Sequence, residues 1–552
     1  MMERSYVETL RKNQKLNKVE QIKLERHPLE VREAIIDRYS KDLSSMDEVP
    51  GEIERLKWVG IYPQKQGGDA FMIRLKVPGG VLTSEQTRII GQIAIDFANG
   101  PISNPHFGNN FLDITTRQDV QMHWIKMENV PEIWRRLEEV GMTTVQACGD
   151  SARNVLCCPV SGLGHDEVID AYPVAQAVSD YFTGNREYAN LPRKFKMSVT
   201  GCLEDCAQAE INDIGMLPAR LEDGTLGFNV RVGGGLSDGP RMASDIDVFV
   251  RPEEAVEITR GIAQVFGELG DRENRWTARM RYLVQELGPE GFRGELEKRT
   301  AFELTPAGEE LTKHYRGDHV GVHPQIDEGL YYVGLNVPVG RMSGEQFAEA
   351  GRLAGEYGAE IRLATDQNFI ITGVPEERLD DLLAEPLLKR YSPSPGAFER
   401  GIVACTGSEF CRFGIVETKI RAVEWAREMD ERVGDGIGQE AVRMHFSGCS
   451  ASCAQPQIGD VGFRGETAKT RDALVEGVDI GLGGSLGRDA AFIDWVEGAK
   501  PAEDVPDALA TVFEKFKDER REDERFHEWA RRKSNKDLRA ALRSAGKNRG
   551  RG

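Results

Sequence analysis

The sequence has no long apolar run. In 552 residues no stretch approaches the roughly 18 uninterrupted apolar residues that a membrane span requires, so a helical membrane protein is excluded. The opening MMERSYVETLRKNQK lacks the apolar core of a secretory signal, and the expected address is cytoplasmic. A basic excess is missing too. Seventy-one Lys and Arg stand against 90 Asp and Glu, a formal charge of −19, which repels a phosphate backbone and argues against nucleic acid as a partner. Arg outnumbers Lys about two to one, and this balance is compatible with a salt-adapted surface. No Gly-x-Gly-x-x-Gly fingerprint follows an apolar strand, so neither flavin nor nicotinamide is expected. Cysteine is scarce and odd in number, nine in all. A disulfide framework is a poor account of it, and metal or cofactor ligation a better one.

What is there suffices for several domains, since the chain is longer than one core usually organises and 40% of it is hydrophobic. It also repeats itself. FMIRLKVPGGVLTSEQ from Phe71 matches YYVGLNVPVGRMSGEQ from Tyr331. ITTRQDV from Ile114 matches LATDQNF from Leu363, and TGCLEDCAQAEINDIG from Thr200 matches SGCSASCAQPQIGDVG from Ser447. The partners lie about 245 to 260 residues apart in one order, as in an internal duplication. Each half predicts a short strand, a helix opened by a capping box (Thr83 with Gln86; Ser343 with Gln346) and a glycine near its end (Gly100; Gly358). β-prone runs with Gly-rich turns follow, about 191–250 and 442–496. The expected class is α+β in two pseudo-twofold-related halves, and not a doubly wound nucleotide fold. Expected boundaries are an N-terminal helical segment, 1–50; first-half units at 51–130 and 145–290; second-half units at 320–390 and 395–510; and a charged C-terminal helix with a basic tail, 511–552. Both ends read as solvated helices packed along one apolar stripe, without chemistry.

Chemistry concentrates elsewhere. Cys405 and Cys411 form C-x5-C in ACTGSEFCRFG, and Cys449 and Cys453 form C-x3-C in SGCSASCAQ. Four thiols is the complement of a [4Fe–4S] cubane. Zinc and inert burial stay open beside it, although structural zinc sites prefer shorter C-x(2–4)-C pairs. The first half carries an incomplete copy, Cys202 and Cys206 in TGCLEDCAQ. With Cys157 and Cys158 these read as small packing residues, while five remaining thiols leave a second cluster arithmetically open. Instead, the first half places cations: Lys194 and Lys196, two apart in the β-prone LPRKFKMSV, with Arg74, Arg117 and Arg153. Strand period aims both lysines at one face. Halves packed about a pseudo-twofold axis then set thiols of one against cations of the other, with an anion between them.

At these residues the chain resembles the sulfite and nitrite reductase family, over about 55–487. The resemblance implies sirohaem beside a [4Fe–4S] cluster, with Cys405, Cys411, Cys449 and Cys453 as cluster ligands and Cys453 shared with the sirohaem iron. It implies anion-binding catalytic roles for Arg74, Arg153, Lys194 and Lys196, and contact with the sirohaem carboxylates for Arg117 and Gln121. It further implies six-electron reduction of a small oxyanion with ferredoxin as donor. Lys-x-Lys is the sulfite-reducing form, where nitrite-reducing members usually carry Asn in place of Lys196, so sulfite is the expected substrate and nitrite the alternative. Tyr62 and Cys148 match a pair that some bacterial sulfite-reducing members join covalently. Two rivals stand beside this reading: a carrier that keeps the cluster without sirohaem, and a zinc-stabilised structural protein.

Overall fold

The computed structural model describes residues 15–101, 103–313, 318–438 and 440–544. The basic tail read from the sequence lies outside them from residue 545. Two antiparallel sheets form the centre. In the first, Ile61–Pro63, Ala70–Leu75, Val120–Lys126 and Phe111–Ile114 lie in that order, and Arg341–Ser343 from the second half completes the edge. In the second, Gly321–Pro324, Leu330–Leu335, Phe369–Pro375 and Glu360–Leu363 are completed by Val81–Thr83 from the first half. Each half lends the other a strand, so neither sheet closes without both.

The lent strands lead directly into helices Ser84–Phe97 and Gly344–Tyr357, each opened by the expected capping box. Gly358 caps the second helix, whereas Ala98 caps the first and Gly100 falls two residues beyond it. The helices touch along glycines. A Cβ on Gly91 would stand 2.5 Å from the Ala348 nitrogen, an approach that only a residue without a side chain permits. Ile90, Ile93, Phe347 and Leu353 are fully buried in one core that spans both halves, which couples the halves by apolar burial rather than by a linker.

Two further sheets flank this centre. Ala152–Cys157, Phe195–Val199 and Ile214–Arg220 run parallel, and Leu226–Val232 and Ser244–Val250 continue antiparallel. The second half repeats this with Ile402–Ala404, Met444–Ser447 and Val461–Lys469, then Leu474–Leu482 and Asp494–Pro501. Parallel neighbours need crossovers, supplied by helices Tyr172–Phe182 and Lys419–Val433. The thiol-bearing loops therefore leave the carboxyl ends of parallel strands, where open sheets present their ligand sites.

The N-terminal segment packs by an apolar stripe, with Val31 and Ile35 fully buried, but it also buries charge: Glu20 and Lys23 lie inside, beside Glu52, Arg55 and Arg272 from beyond the segment. They survive there by pairing: Arg272 with Glu20 at 2.7 Å and Arg55 with Glu52 at 2.6 Å, while Lys23 donates to the Leu191 carbonyl.

Candidate functional site

Register explains how the second half gathers its thiols. Ala404 pairs with Phe446 across parallel strands, so Cys405, one residue on, faces the Gly448–Cys449 turn, three residues on from Phe446. The Cys405 sulfur accepts from the Gly407 and Gly448 amides at 3.4 and 3.2 Å. Its carbonyl accepts from Thr418 at 2.6 Å. Burial and the nearby Cys453 push the Cys405 thiol up to about 12. Burial raises Cys411 and Cys449 as well, and each also feels Cys453. Four thiols from two loops thus converge; Cys453 is exposed and the other three half-buried. That donor set suits a cubane, whose corners take thiolates from several directions.

A strict pseudo-twofold relation surrounds them. The Thr116 hydroxyl donates to the Cys453 carbonyl at 3.1 Å, and the Thr365 hydroxyl donates to the Cys206 carbonyl at 3.0 Å. Gln118 brackets Cys157 through both amide atoms, and Gln367 accepts from the Ala404 amide and donates to the Ile114 carbonyl. Both glutamines hold positive φ, 55° and 67°, a strained backbone in which their side chains lock the two halves. Gln208 and Gln455 hydrogen-bond across the axis. Sequence reasoning passes over Gln118 and Gln367, although both copies of the repeat keep them in ITTRQDV and LATDQNF.

The first half delivers the cations. Arg74 donates to the Cys148 sulfur at 3.3 Å and to Gln121 at 3.0 Å, and Gln121 donates to Thr406 at 2.9 Å. Burial opposes the Arg74 charge, but Cys148, Tyr62, Asp119 and Cys453 hold its pKa above the ordinary value. Arg117 donates to Asn212 at 2.8 Å, and burial lowers it to about 10. The Nε atoms of Arg74 and Arg117 are buried without a partner. Arg153 is used differently: its guanidinium donates to the Ala147 and Gly149 carbonyls, so it braces the loop that carries Cys148.

Lys194 and Lys196 are half-buried. Lys196 lies within strand Phe195–Val199, and Lys194 one residue before it. Enclosure by protein and the Arg279 charge bring Lys194 down to about 7, while Cys453 pulls the other way. Lys196 is lowered by burial and by Arg117, Lys194 and Arg279. Arg279 makes a two-oxygen ion pair with Asp213, which also accepts from the Lys196 amide. Nothing in the local sequence pattern marks Arg279 or Asp213. Tyr62 and Cys148 are neighbours; burial and the Cys148 charge raise the Tyr62 pKa.

Cations with free donor atoms facing a thiol-rich wall suit a carboxylate-bearing tetrapyrrole and an oxyanion, because each buried cation needs an anion beside it. The cysteines read as packing residues divide. Cys157 is buried in its strand, while Cys158 and Cys206 lie against His319.

Comparison with known proteins gives this arrangement its family. Residues 148–304 and 396–548 match the nitrite and sulphite reductase 4Fe-4S domain, and residues 62–140 and 323–388 match the nitrite/sulfite reductase ferredoxin-like half domain. The chain is 44% identical over 505 residues to the assimilatory ferredoxin-dependent nitrite reductase of Haloferax mediterranei, spanning 88% of this chain and 86% of that protein. It is 40% identical over 509 residues to the ferredoxin–nitrite reductase of Synechococcus elongatus, spanning 91% and 96%. The solved structure of the Mycobacterium tuberculosis NirA protein superposes with a TM-score of 0.89 at 33% identity, covering 96% of this chain and 99% of that one. With paired half-domains, converging thiols and a facing wall of cations, the chain belongs to the nitrite and sulphite reductase family, oxidoreductases built around a [4Fe–4S] cluster and sirohaem.

Proposed function

We propose that this chain reduces nitrite to ammonium with electrons from reduced ferredoxin. The observation that carries the proposal is near full-length similarity, at 44% and 40% identity, to proteins named ferredoxin-dependent nitrite reductases in two distant organisms. It moves the weight from sulfite, the substrate expected from Lys-x-Lys, to nitrite. In this reading Cys405, Cys411, Cys449 and Cys453 would hold the cluster, Cys453 would also serve the sirohaem, and Arg117 and Gln121 would bind the sirohaem carboxylates. When bound, the two groups supply the iron that takes the oxyanion and the path by which single electrons arrive.

The protein's own task is charge and protons. Nitrite takes up six electrons and eight protons to leave as ammonium and two waters, so the cleft must hold an anion and deliver protons repeatedly. Arg74, Lys194 and Lys196 supply positive charge where water is scarce, which strengthens their hold on an oxyanion. Arg153 contributes field from its carbonyl-braced position. Lys194, lowered to about 7, is poised to give up a proton at neutral pH and take another. An arriving anion raises it again, so it is charged while substrate is present.

Two observations keep sulfite as a second reading. Lys196 adds an ammonium that suits a dianion, and Tyr62 neighbours Cys148 closely enough for their charges to interact, the pair a thioether would join. Steady-state kcat/KM with reduced ferredoxin decides between the substrates. A nitrite value well above the sulfite value upholds the proposal, and the reverse ratio overturns it. Peptide mapping tests the thioether: a single cross-linked peptide containing Tyr62 and Cys148 and lacking two hydrogens is expected, and an unmodified Tyr62 peptide removes it.

A further inference from the structure

The first half carries an incomplete copy of the thiol site. Its strands keep the same register: Cys157 pairs with Val199 as Ala404 pairs with Phe446. Cys158 therefore occupies the place of Cys405, while Cys202 and Cys206 occupy those of Cys449 and Cys453. The Thr365 and Thr116 bonds to the Cys206 and Cys453 carbonyls confirm the equivalence. No thiol stands in for Cys411. The segment that joins the halves brings in His319 instead, whose Nε2 lies 3.2 Å from the Cys206 sulfur and 3.7 Å from the Cys158 sulfur. Cys202 and Cys206 sulfurs are 3.5 Å apart.

The separations among Cys158, Cys206 and His319 are those of donors around a single ion. Around a tetrahedral Zn2+ with Zn–S of about 2.3 Å, donor atoms sit about 3.8 Å from one another, close to the values found here. Among the described residues, Cys158, Cys206 and His319 form the one group of three potential ligands whose donor atoms all lie within 4.8 Å of each other. The thiols of Cys405, Cys411, Cys449 and Cys453 form no such close group, as suits donors spread around a cube rather than a point.

Position supports the same conclusion. Cys158, Cys202 and Cys206 are buried, so these sulfurs are shielded from oxidants that exposed thiols meet. His319 is held between Asp318, which pairs with Arg400 at 2.5 Å, and Val320, whose carbonyl accepts from Arg400 at 3.0 Å. A small cavity lined by Cys206, Asp318, His319, Thr365 and Asp366 adjoins the donors. Three sulfurs and one imidazole are a set that zinc favours.

We propose that Cys158, Cys206 and His319 bind one structural Zn2+, with Cys202 turning from the Glu204 carbonyl to which its thiol donates to complete the four ligands, and that the ion staples the segment between the halves to the first-half sheet. Binding releases the three thiol protons to solvent and changes no oxidation state. The site is the duplicated cluster site recast for a mononuclear ion by exchange of one thiol for an imidazole.

Zinc and iron content of dialysed full-length holoenzyme, with zinc K-edge X-ray absorption, tests this. One zinc per chain is expected, with a shell of three sulfurs at about 2.3 Å and one nitrogen at about 2.0 Å. His319→Ala should lower zinc at least about tenfold and leave iron content and the visible spectrum unchanged. Wild-type holoenzyme without zinc, additional iron in its place, a Cys202–Cys206 disulfide found by mass spectrometry, or zinc retained in both His319→Ala and Cys206→Ser would each overturn the assignment. The wild-type measurements decide the question even if a variant fails to fold.

Discussion

Lys194 and Cys453 come from opposite halves of the chain, and the charge of the sulfur pulls the lysine's pKa up against the burial and the Arg279 charge that bring it down to about 7. That meeting of a first-half cation with a second-half thiol is what the duplicated architecture achieves.

Removing this ammonium should separate activity from stability. The folded pKa of about 7 lies below the ordinary 10.5. Between those values the native state binds fewer protons than the unfolded state, so stability rises with pH across that window. The strain is complete below pH 7 and gone above 10.5. Lys194→Met should therefore raise the unfolding temperature of substrate-free protein at pH 7, with the gain fading toward pH 10.5, while kcat/KM for nitrite falls about 100-fold or more. Calorimetry and steady-state kinetics across pH 6–10 check both.

Lys196 faces Lys194 and Arg117, which with burial depress it. Lys196→Asn removes one cation and should raise the ratio of kcat/KM for nitrite over sulfite. An unchanged ratio would show that this lysine does not set substrate preference.

Arg341 crosses between halves to bind Asp113 through both carboxylate oxygens at 2.6 and 3.0 Å, and Lys419 approaches to 3.7 Å. Burial alone would raise Asp113, but these two cations hold it well below the usual carboxylate range. The ion pair contributes stability above the unfolded carboxylate pKa and loses it only as pH falls through the lower folded value. Asp113→Asn leaves Arg341 with Glu409 alone and removes the carboxylate that Lys419 approaches, and should cost about 3–5 kcal/mol in denaturant unfolding at pH 7.

Beside the thiol loops, Phe413 and Ile415 are exposed at 78% and 44%. Lys65, whose charge reaches Cys411, and Arg412 flank them. This is a local basic and apolar face on an acidic molecule, suited to an acidic electron donor. Phe413→Ala with Lys65→Glu should raise the KM for reduced ferredoxin several-fold and leave viologen-driven turnover unchanged. Equal losses with both donors would exclude the face.

Much of this was readable in one dimension, for definite reasons. Capping boxes at Thr83 and Ser343 are local hydrogen bonds and therefore local patterns. The thiol spacings mark loops because Cys405 and Cys449 sit just beyond short apolar strands. The duplication announced two halves. Other features had no local signature: charged residues such as Glu20 and Arg55 read as solvated until their partners, distant in sequence, proved to be buried with them. Arg153 read as a cleft cation, yet its donors serve the backbone at Ala147 and Gly149. Substrate preference rested on three positions, Lys196, Tyr62 and Cys148, against the similarity of the whole chain.

The amino-acid order by itself determined the helices, the strands, the repeated halves and the four thiols of the second half, because propensity, capping and spacing act over a few residues. The tertiary structure decided which residues of one half meet those of the other: the exchanged edge strands, Lys194 against Cys453, Arg341 against Asp113, and His319 among the first-half thiols. Such meetings depend on packing two copies about an axis, and burial then shifts each charge according to neighbours hundreds of residues away.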